Sequence, residues 1–468
     1  MKHYLNTILR IALLFCVPTI LSAQMAPLAS NSSQAFALIN PAPAKQDSSA
    51  ILLRDNSQAW TLQECITYAQ IHNISVQQQQ LNVKFAQASL LQSEGNILPS
   101  VNGFASHTYN NGRTIDPFTN TFATSTVLSE NFGIRSSVTL FAGLQNVNTY
   151  KQNQFSLEAS RYQVQQTQYD IGMNVASAYL NVLYTQEALD LAQQQSDLTK
   201  AQVDRMQKLV DAGAQSKGTL LDLQSQLATE AVNVVSAQNN VTMAYLNLTQ
   251  LMNLDSTNGF TIVKPALAIP NENILSSTPD QIFQTAVATM PSIKKAQSDF
   301  QSADKGVSIA YGAVSPSLVL SGSLGTGYSG AAKTLANTTY SGIDTVGITS
   351  GGDYVLVPKY TYAYNTTPFA NQFNNNVNKS IGVTLTIPIF NHFQVNSAIA
   401  KAKIQRESAQ LNVDLSEQQL RKNIAQSYAD AQAAFLKYEA TQKAVDAAKE
   451  SFKYTEDKFN LGASNSID

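Results

Sequence analysis

One uninterrupted helical run limits what this chain can fold into more than any other feature. Residues 155–210 contain no proline and only one glycine, Gly172. Apolar and small residues recur there at alternating spacings of four and three, the heptad pattern of packed long helices. A helix from about 148 to 211 would be roughly 95 Å long, about two to three times the width of an ordinary domain. The stripe consists of Ile171, Val175, Ala178, Val182, Thr185, Leu189, Ala192, Ser196, Thr199, Val203, Met206 and Val210.

The same stripe occurs again 249 positions further along the chain. There it is mostly apolar or small and reads Leu420, Ile424, Ser427, Ala431, Ala434, Tyr438, Thr441, Val445, Ala448, Phe452, Thr455 and Phe459. The ends of the two runs, LVDAGAQS and KFNLGASN, place Gly213 and Gly462 at the same offset. The chain is therefore an internal duplication, with a first repeat at 60–254, a linker at 255–278 and a second repeat at 279–468.

Each repeat reads as helix, strand, strand, very long helix and tight hairpin, and the first repeat adds a further helix from 219 to 251. The second repeat stops at its hairpin, so we expect the sequence to be cut about 40 residues before that repeat would end. Because both stripes mix large apolar residues with Ala, Ser and Thr, they favour a curved wall of helices over an isolated coiled-coil pair. The face of the first long helical run that lies away from the stripe is rich in glutamine, which fits a solvated surface and a channel lining equally well.

Strand signals precede each long helical run. In ENFGIRSSVTLF (130–141) and SIGVTLTIPIF (380–390), apolar residues alternate with small or polar ones over about ten positions. This pattern predicts strands at about 131–141 and 380–389, with upstream partners at about 100–110 and 317–328. It fits a transmembrane β-strand, and it fits a half-buried strand of a soluble sheet. We expect the long connections inside each strand pair to be external loops.

The N-terminus favours the membrane interpretation of the strands. Lys2 and Arg10 precede a short apolar run that ends in small residues, the pattern of a cleaved signal peptide, here 1–23. Residues 24–59 lack periodicity and are expected to form a flexible leader. Four strands cannot close a barrel in lipid, so several chains must contribute to one barrel.

Composition and motifs argue against enzymatic and nucleic-acid functions. Charged residues make up 13% of the chain and the net charge is −2, which gives no basic surface for nucleic acid. The histidines beyond the signal peptide, His72, His107 and His392, have no metal-ligand spacing. GTGYSG (325–330) matches a dinucleotide glycine pattern but leads into no helix. We therefore predict that the chain is not an enzyme and holds no cofactor or metal.

Several segments together resemble those of a known family. They are WTLQECITYAQIHN, ILPSVNGF, VTLFAGLQN with TIPIFNHFQVN, and the hairpins VDAGAQS and NLGASNSID. In order, spacing and duplication the chain resembles the TolC-type outer-membrane efflux proteins from Trp60 to Asp468. The resemblance implies an α+β membrane protein: a trimer whose four strands per chain form a β-barrel in the outer membrane, with a long-helix α-barrel of coiled-coil hairpins in the periplasm.

The resemblance also implies partners and sites. The family forms the exit channel of tripartite efflux or type I secretion systems, meeting a periplasmic adaptor protein and an inner-membrane pump of RND or ABC type. Its hairpin tips dock the adaptor, and these correspond here to Val210, Asp211, Ala212, Gly213, Ala214, Asn460, Leu461, Gly462 and Ala463. Its periplasmic constriction corresponds to Asp468, whose carboxylate would equally suit an ordinary helix start.

A structural alternative stays open at this level. A trimeric coiled-coil scaffold on the cell surface that transports nothing would also carry the heptads. It would not account for the paired strand segments or for the antiparallel hairpins.

Overall fold

The computed structural model describes residues 59–463, apart from 117, 121, 124, 125, 255–258 and 266–276. Its contacts divide the chain after Asn56, and every described residue lies in the second unit, Ser57–Asp468. The expected signal peptide and Asp468 fall outside the described residues, as do most of the expected leader and linker.

The helices of the first half begin and end at local sequence signals. They are α1 (Leu62–His72), α2 (Ile74–Gly95), α3 (Gln145–Asp211) and α4 (Lys217–Met252). Thr61 and Glu64 form a capping box at the start of α1, in which each side chain accepts a hydrogen bond from the other residue's backbone N–H. Asn73 separates α1 from α2, and its side chain accepts a hydrogen bond from the Ser75 N–H at 2.9 Å. These contacts satisfy N–H groups that have no partner inside a helix.

Three of the four helices described in the second half match helices of the first half in length. The four are α5 (Pro279–Thr289), α6 (Pro291–Gly312), the short α7 (Phe369–Asn375) and α8 (Gln394–Asn460). Helices α5 and α6 have 11 and 22 residues, as do α1 and α2, and they begin 217 positions after them. Helices α3 and α8 both have 67 residues and begin 249 positions apart. The duplication predicted from the sequence is confirmed.

A four-stranded antiparallel sheet joins the two halves. Its strands are β1 (Ser100–Asn110), β4 (Val127–Ala142), β5 (Ser317–Ser329) and β8 (Asn378–Thr386), hydrogen-bonded in the order β1–β4–β5–β8. The central pair β4–β5 joins a strand of the first repeat to a strand of the second. Strands β1 and β8 are the two edges. The four strands per chain expected from the sequence are therefore present in one sheet.

Two details of the strands differ from the sequence-based expectation. Strand β8 ends at Thr386 rather than near 389, because Pro388 has no N–H to donate to a ladder. The connection between β5 and β8, expected to be an external loop, contains a hairpin of β6 (Lys333–Ile348) and β7 (Tyr354–Thr366), followed by α7. In the other connection, β2 (Thr114–Ile115) pairs with β3 (Phe122–Ala123). The β6–β7 hairpin lies in the segment where the offset between repeats changes from 217 to 249.

Each long helix leaves the sheet through two consecutive left-handed residues. Gly143 and Leu144 precede α3 with φ of 58° and 61°, and His392 and Phe393 precede α8 with φ of 53° and 60°. At Gly143 only glycine fits, because a Cβ there would overlap the backbone of Gly312 at the end of α6. The turn thus fixes where the first long helix meets the second repeat.

The main apolar core lies where α1, α3 and α4 meet. Its buried members include Trp60, Cys65, Val175, Tyr179, Val182, Leu248, Met252 and Phe260. The Tyr179 hydroxyl donates to the Val263 carbonyl and also lies 3.2 Å from the Trp60 carbonyl oxygen. These contacts and the bridge between Trp60 and Ile262 tie the segment after α4 to the start of α1. Cys65 is fully buried, as expected for a packing residue. No described helix combines the length and hydropathy that crossing a membrane would require.

Candidate functional site: the sheet faces and the helical hairpin tips

The two faces of the sheet have opposite chemistry. Register and alternation put large apolar side chains on one face, among them Ile134, Val138, Leu318, Leu320, Leu324, Ile381, Val383 and Leu385. The other face carries small or polar residues, among them Asn102, Asn131, Arg135, Ser137, Ser321, Ser323, Ser380 and Thr384. The expected alternation slips only near Leu140, where a bulge shifts the register between Thr139 and Phe141.

The connection between β1 and β4 folds back onto the polar face of the sheet. Asp116, which is 1% exposed, accepts hydrogen bonds from the Ser329 hydroxyl and from the Thr119 N–H and hydroxyl. Burial alone would raise the pKa of Asp116, but these hydrogen bonds and one from the Phe118 N–H outweigh it and lower the pKa. Sequence reasoning missed this anchor, because Asp116 and Ser329 are far apart in the chain.

Helix α7 covers the apolar face at the end of the sheet that lies farther from the long helices. The rings of Phe369 and Phe373 pack against Phe132 at 6.1 and 5.9 Å between centroids, and Phe369 also packs on Tyr328. Gln372 is buried and bonds the backbone N–H and carbonyl of Ser329. The connection between β1 and β4 and the helix α7 therefore pack on opposite faces of the sheet, at the same end.

The first hairpin tip is a complete glycine-terminated helix end. Gly213 has φ of 73°, its N–H donates to the Val210 carbonyl at 2.9 Å, and the Ala214 N–H donates to Leu209 at 2.8 Å. This pair of bonds is the Schellman motif, which satisfies the last carbonyls of α3. After two more residues Ser216 caps α4, its side chain accepting from the Thr219 N–H. The proposed tip residues 210–214 thus form one tight, mostly exposed turn.

The second tip repeats the first bond for bond. Gly462 has φ of 75°, its N–H donates to Phe459 at 2.9 Å, and the Ala463 N–H donates to Lys458 at 2.8 Å. Every donor and acceptor lies 249 positions after its counterpart. Leu461 is 84% exposed, whereas its counterpart is Ala212. The helices that carry the tips, α3 and α8, both pack against α6, so the tips belong to neighbouring parts of one helical wall.

A polar cluster lies between α3 and α4 above the first tip. Glu230 is 8% exposed and accepts hydrogen bonds from Gln226 at 3.1 Å and Gln195 at 3.4 Å. The Thr199 hydroxyl is the main cause that lowers the pKa of Glu230. Sequence reasoning found Thr199 as a heptad position but did not find its carboxylate partner.

Two long helices with exposed tips, rising from a sheet with one apolar and one small polar face, define a channel-forming protein of a membrane. The description "Outer membrane efflux protein" belongs to a family model that matches residues 66–254 and 282–468, one segment for each repeat. The chain belongs to this outer membrane efflux protein family.

Individual relatives agree with this placement. The outer membrane protein TolC of Escherichia coli K12 is 23% identical over 424 residues, covering 88% of this chain and 76% of TolC. The outer membrane protein VceC of Vibrio cholerae is similar in structure, with a TM-score of 0.67, 16% identity and 87% of each chain covered. The MtrE outer membrane channel of Neisseria gonorrhoeae in its open state gives a TM-score of 0.62 at 17% identity, covering 87% of this chain and 81% of MtrE. The predicted family, fold class and outer-membrane location, with the helices in the periplasm, are confirmed.

Proposed function

We propose that this chain is the outer-membrane exit duct of a tripartite efflux or type I secretion system. The observation that carries the proposal is the duplicated pair of 67-residue helices rising from a sheet with one apolar and one small polar face. The apolar face suits lipid, and the polar face suits a water-filled lumen. The family is one of transport proteins, which agrees with a duct rather than an enzyme.

The duct is built by three copies of the chain. Strands β1 and β8 leave unpaired N–H and C=O groups at both edges of the sheet, and such edges are too costly to leave open in lipid. The repeat indicates how they pair between copies. Because β4 corresponds to β8 and β5 to β1, the pair β4–β5 inside the chain is the template for β8 of one copy with β1 of the next. Within the chain, Arg135 on β4 lies opposite Ser323 on β5. By the same correspondence, Thr384 on β8 of one copy lies opposite Ser106 on β1 of the next.

The helices give the same arrangement. Helix α3 packs on α6, with the Ser156 and Ser302 hydroxyls 2.9 Å apart. The equivalent positions are Gln405 on α8 and Phe85 on α2. Phe85 is 76% exposed within one chain, so the repeat supplies it with a partner surface in the next copy. Large aromatic side chains are typical anchors of such interfaces.

The exposed tips, Val210 to Ala214 and Asn460 to Ala463, dock a periplasmic adaptor that connects the duct to an inner-membrane pump of RND or ABC type. What supports this is the shared backbone geometry of the two turns, which gives the trimer six contact points with the same backbone hydrogen bonds. Asp468 would supply the carboxylate of the periplasmic constriction, three copies of which would attract cations.

Conductance in planar lipid bilayers tests the duct directly. The purified protein is expected to give discrete single-channel steps, and native mass measurement in detergent is expected to give a trimer. A trimer without conductance would favour the non-transporting scaffold. For the tips, Leu461→Asp should reduce crosslinking to a purified periplasmic adaptor protein that binds the unchanged protein, while Leu436→Asp, far from the tip on the same helix, should not.

A further inference from the structure

The polar face of the sheet contains a groove with a glycine floor. The register aligns Phe104, Gly133, Gly325 and Asn378 in one row across all four strands. Gly325 has no side chain and forms part of the groove's floor, whereas the Phe104 ring covers Gly133, and the groove measures about 460 Å³. Its lining includes Phe104, Phe118, Asn131, Arg135, Asn376 and Asn378.

The aromatic walls of the groove depend on the glycines. The Phe104 ring lies over Gly133, where a Cβ would come within 2.8 Å of the ring. Phe118, carried in by the connection that Asp116 anchors, lies over Gly327 in the same way. Larger residues at these positions would push the rings away. The shape of the groove therefore depends on the register of β1, β4 and β5 and on the connection between β1 and β4.

Arg135 is the only ionisable side chain that the four described strands place on this face. Its guanidinium lies 4.3 Å from the centre of the Phe104 ring, a cation–π contact that fixes its position beside the groove. Within the part of the chain that the structure describes, no carboxylate forms an ion pair with Arg135. Glu130, on the same strand, belongs to the opposite face and pairs there with His107 at 2.8 Å.

We propose that this groove is a contact site for organic anions with an aromatic or apolar body as they pass through the sheet. A guanidinium recognises carboxylate, sulfonate or phosphate oxygens with paired N–H donors. The amide groups of Asn131 and Asn378 add donors, and the rings of Phe104 and Phe118 contact the apolar part of the ligand. In the trimer three such grooves surround the lumen, so passing anions meet a ring of three guanidinium groups there.

The proposal rests on the duct function, since it needs this face to line the lumen. The test uses 4-(trifluoromethyl)benzenesulfonate as the probe, with two measurements on the full chain. One is block of single-channel current, and the other is broadening of the probe's ¹⁹F resonance by protein in nanodiscs, which does not require conduction. Arg135→Gln is compared with Ser137→Gln, a polar neighbour on the same face outside the groove.

The expected result is block and line broadening that need about tenfold more probe after Arg135→Gln and are unchanged after Ser137→Gln. Arg135→Lys, which keeps the charge but loses the planar fork, should lie between them and guards against a folding defect. Equal values for Arg135→Gln and the unchanged protein in the ¹⁹F measurement would overturn the groove. Broadening that depends on Arg135 in a protein that passes no current would uphold the groove and reject the duct.

Discussion

Helices α3 and α8 have the same length, the same left-handed entry and the same hydrogen bonds at their tips, yet they differ sharply in burial. Helix α3 packs against α1, α2, α4 and α6 and buries Val175, Tyr179 and Val182 almost completely. Helix α8 packs against α5 and α6, and Val413 is its one buried residue among those described. Leu411 and Phe452 on α8 remain 62% and 69% exposed.

The difference follows from the neighbours of each helix: α4 packs along α3, and no described helix packs in the equivalent place on α8. Both helices carry apolar stripes, but among the described residues α3 has four helical partners and α8 has two. Exposed apolar side chains on this scale indicate a surface that is covered in the assembled protein. In the proposed trimer, α2 of the next copy covers α8 as α6 covers α3.

The largest expected difference between the helices comes from a buried charge. Val182 is fully buried, so Val182→Asp should cost about 4 kcal/mol or more, because an unpaired carboxylate is placed in an apolar core. The equivalent residue on α8 is Ala431, which is exposed. Ala431→Asp should cost less, no more than about 2 kcal/mol, because the side chain it replaces is small and exposed within the chain. Urea titration followed by circular dichroism measures both, and equal losses would contradict the comparison.

Substitutions in the turns that precede α3 and α8 should also differ in their cost in stability, almost as much as the pair above. Gly143→Ala should cost about 2–4 kcal/mol, because alanine is strained at positive φ and its Cβ would overlap the Gly312 backbone. His392 already holds the same conformation without glycine, so His392→Ala should stay within about 0.5 kcal/mol. The same titration tests this pair. A mild effect at Gly143 would mean that the close approach to Gly312 can relax.

A substitution at the expected boundary between copies should act on assembly alone. Phe85→Arg should weaken the trimer by about tenfold or more in the concentration at which it dissociates, since a central aromatic anchor is lost. Folding of the single chain should hardly change, because Phe85 is mostly exposed there. Gln87→Arg, on the other side of α2, is the matched control. Native mass measurement over a dilution series gives the concentration at which each trimer dissociates. Equal values for Phe85→Arg and Gln87→Arg would mean that Phe85 does not lie at the boundary between copies.

The smallest effect concerns the polar cluster that α3 shares with α4. The folded-state pKa of Glu230 lies below its ordinary value of 4.5, so its ionised form stabilises the fold above that pH. This contribution is lost as the pH falls through the lowered pKa. Glu230→Gln should therefore reduce the loss of stability on acidification from pH 6 to pH 3, with urea midpoints as the measurement. An unchanged acid dependence would place the sensitive carboxylate elsewhere.

Local signals in the sequence predicted the long helices and the strands of the four-stranded sheet. They did not predict the breaks at Asn73 and Met290, where each leading helical run divides into two helices. The heptad stripe and the two glycines define α3 to within a few residues and locate the end of α8, because a proline-free run with a glycine stop has few alternatives. Period two found the strands and the chemistry of their faces. The positions of the tips follow from the same glycines, while docking at those tips stays a prediction.

Features that depend on contacts between distant segments could not be read in advance. The β6–β7 hairpin was missed because three register shifts interrupt its alternation and its Thr- and Gly-rich composition is typical of a loop. The groove at Arg135 depends on Gly133 and Gly325 meeting across two repeats, which only the register reveals. The anchoring of Asp116 by Ser329 is equally non-local.

Disulfide formation between copies tests most directly whether copies join by the contacts that join the two repeats within one chain. Thr384→Cys with Ser106→Cys should give a covalent trimer under mild oxidation, because directly opposed strand positions come within disulfide reach. Single-cysteine variants and the pair Thr384→Cys with Thr108→Cys, one register step away, are the controls; the native Cys65 is buried. Efficient crosslinking is expected for Thr384 with Ser106, and little for Thr384 with Thr108. Preferential crosslinking to Thr108, or none between copies, would contradict this mode of assembly.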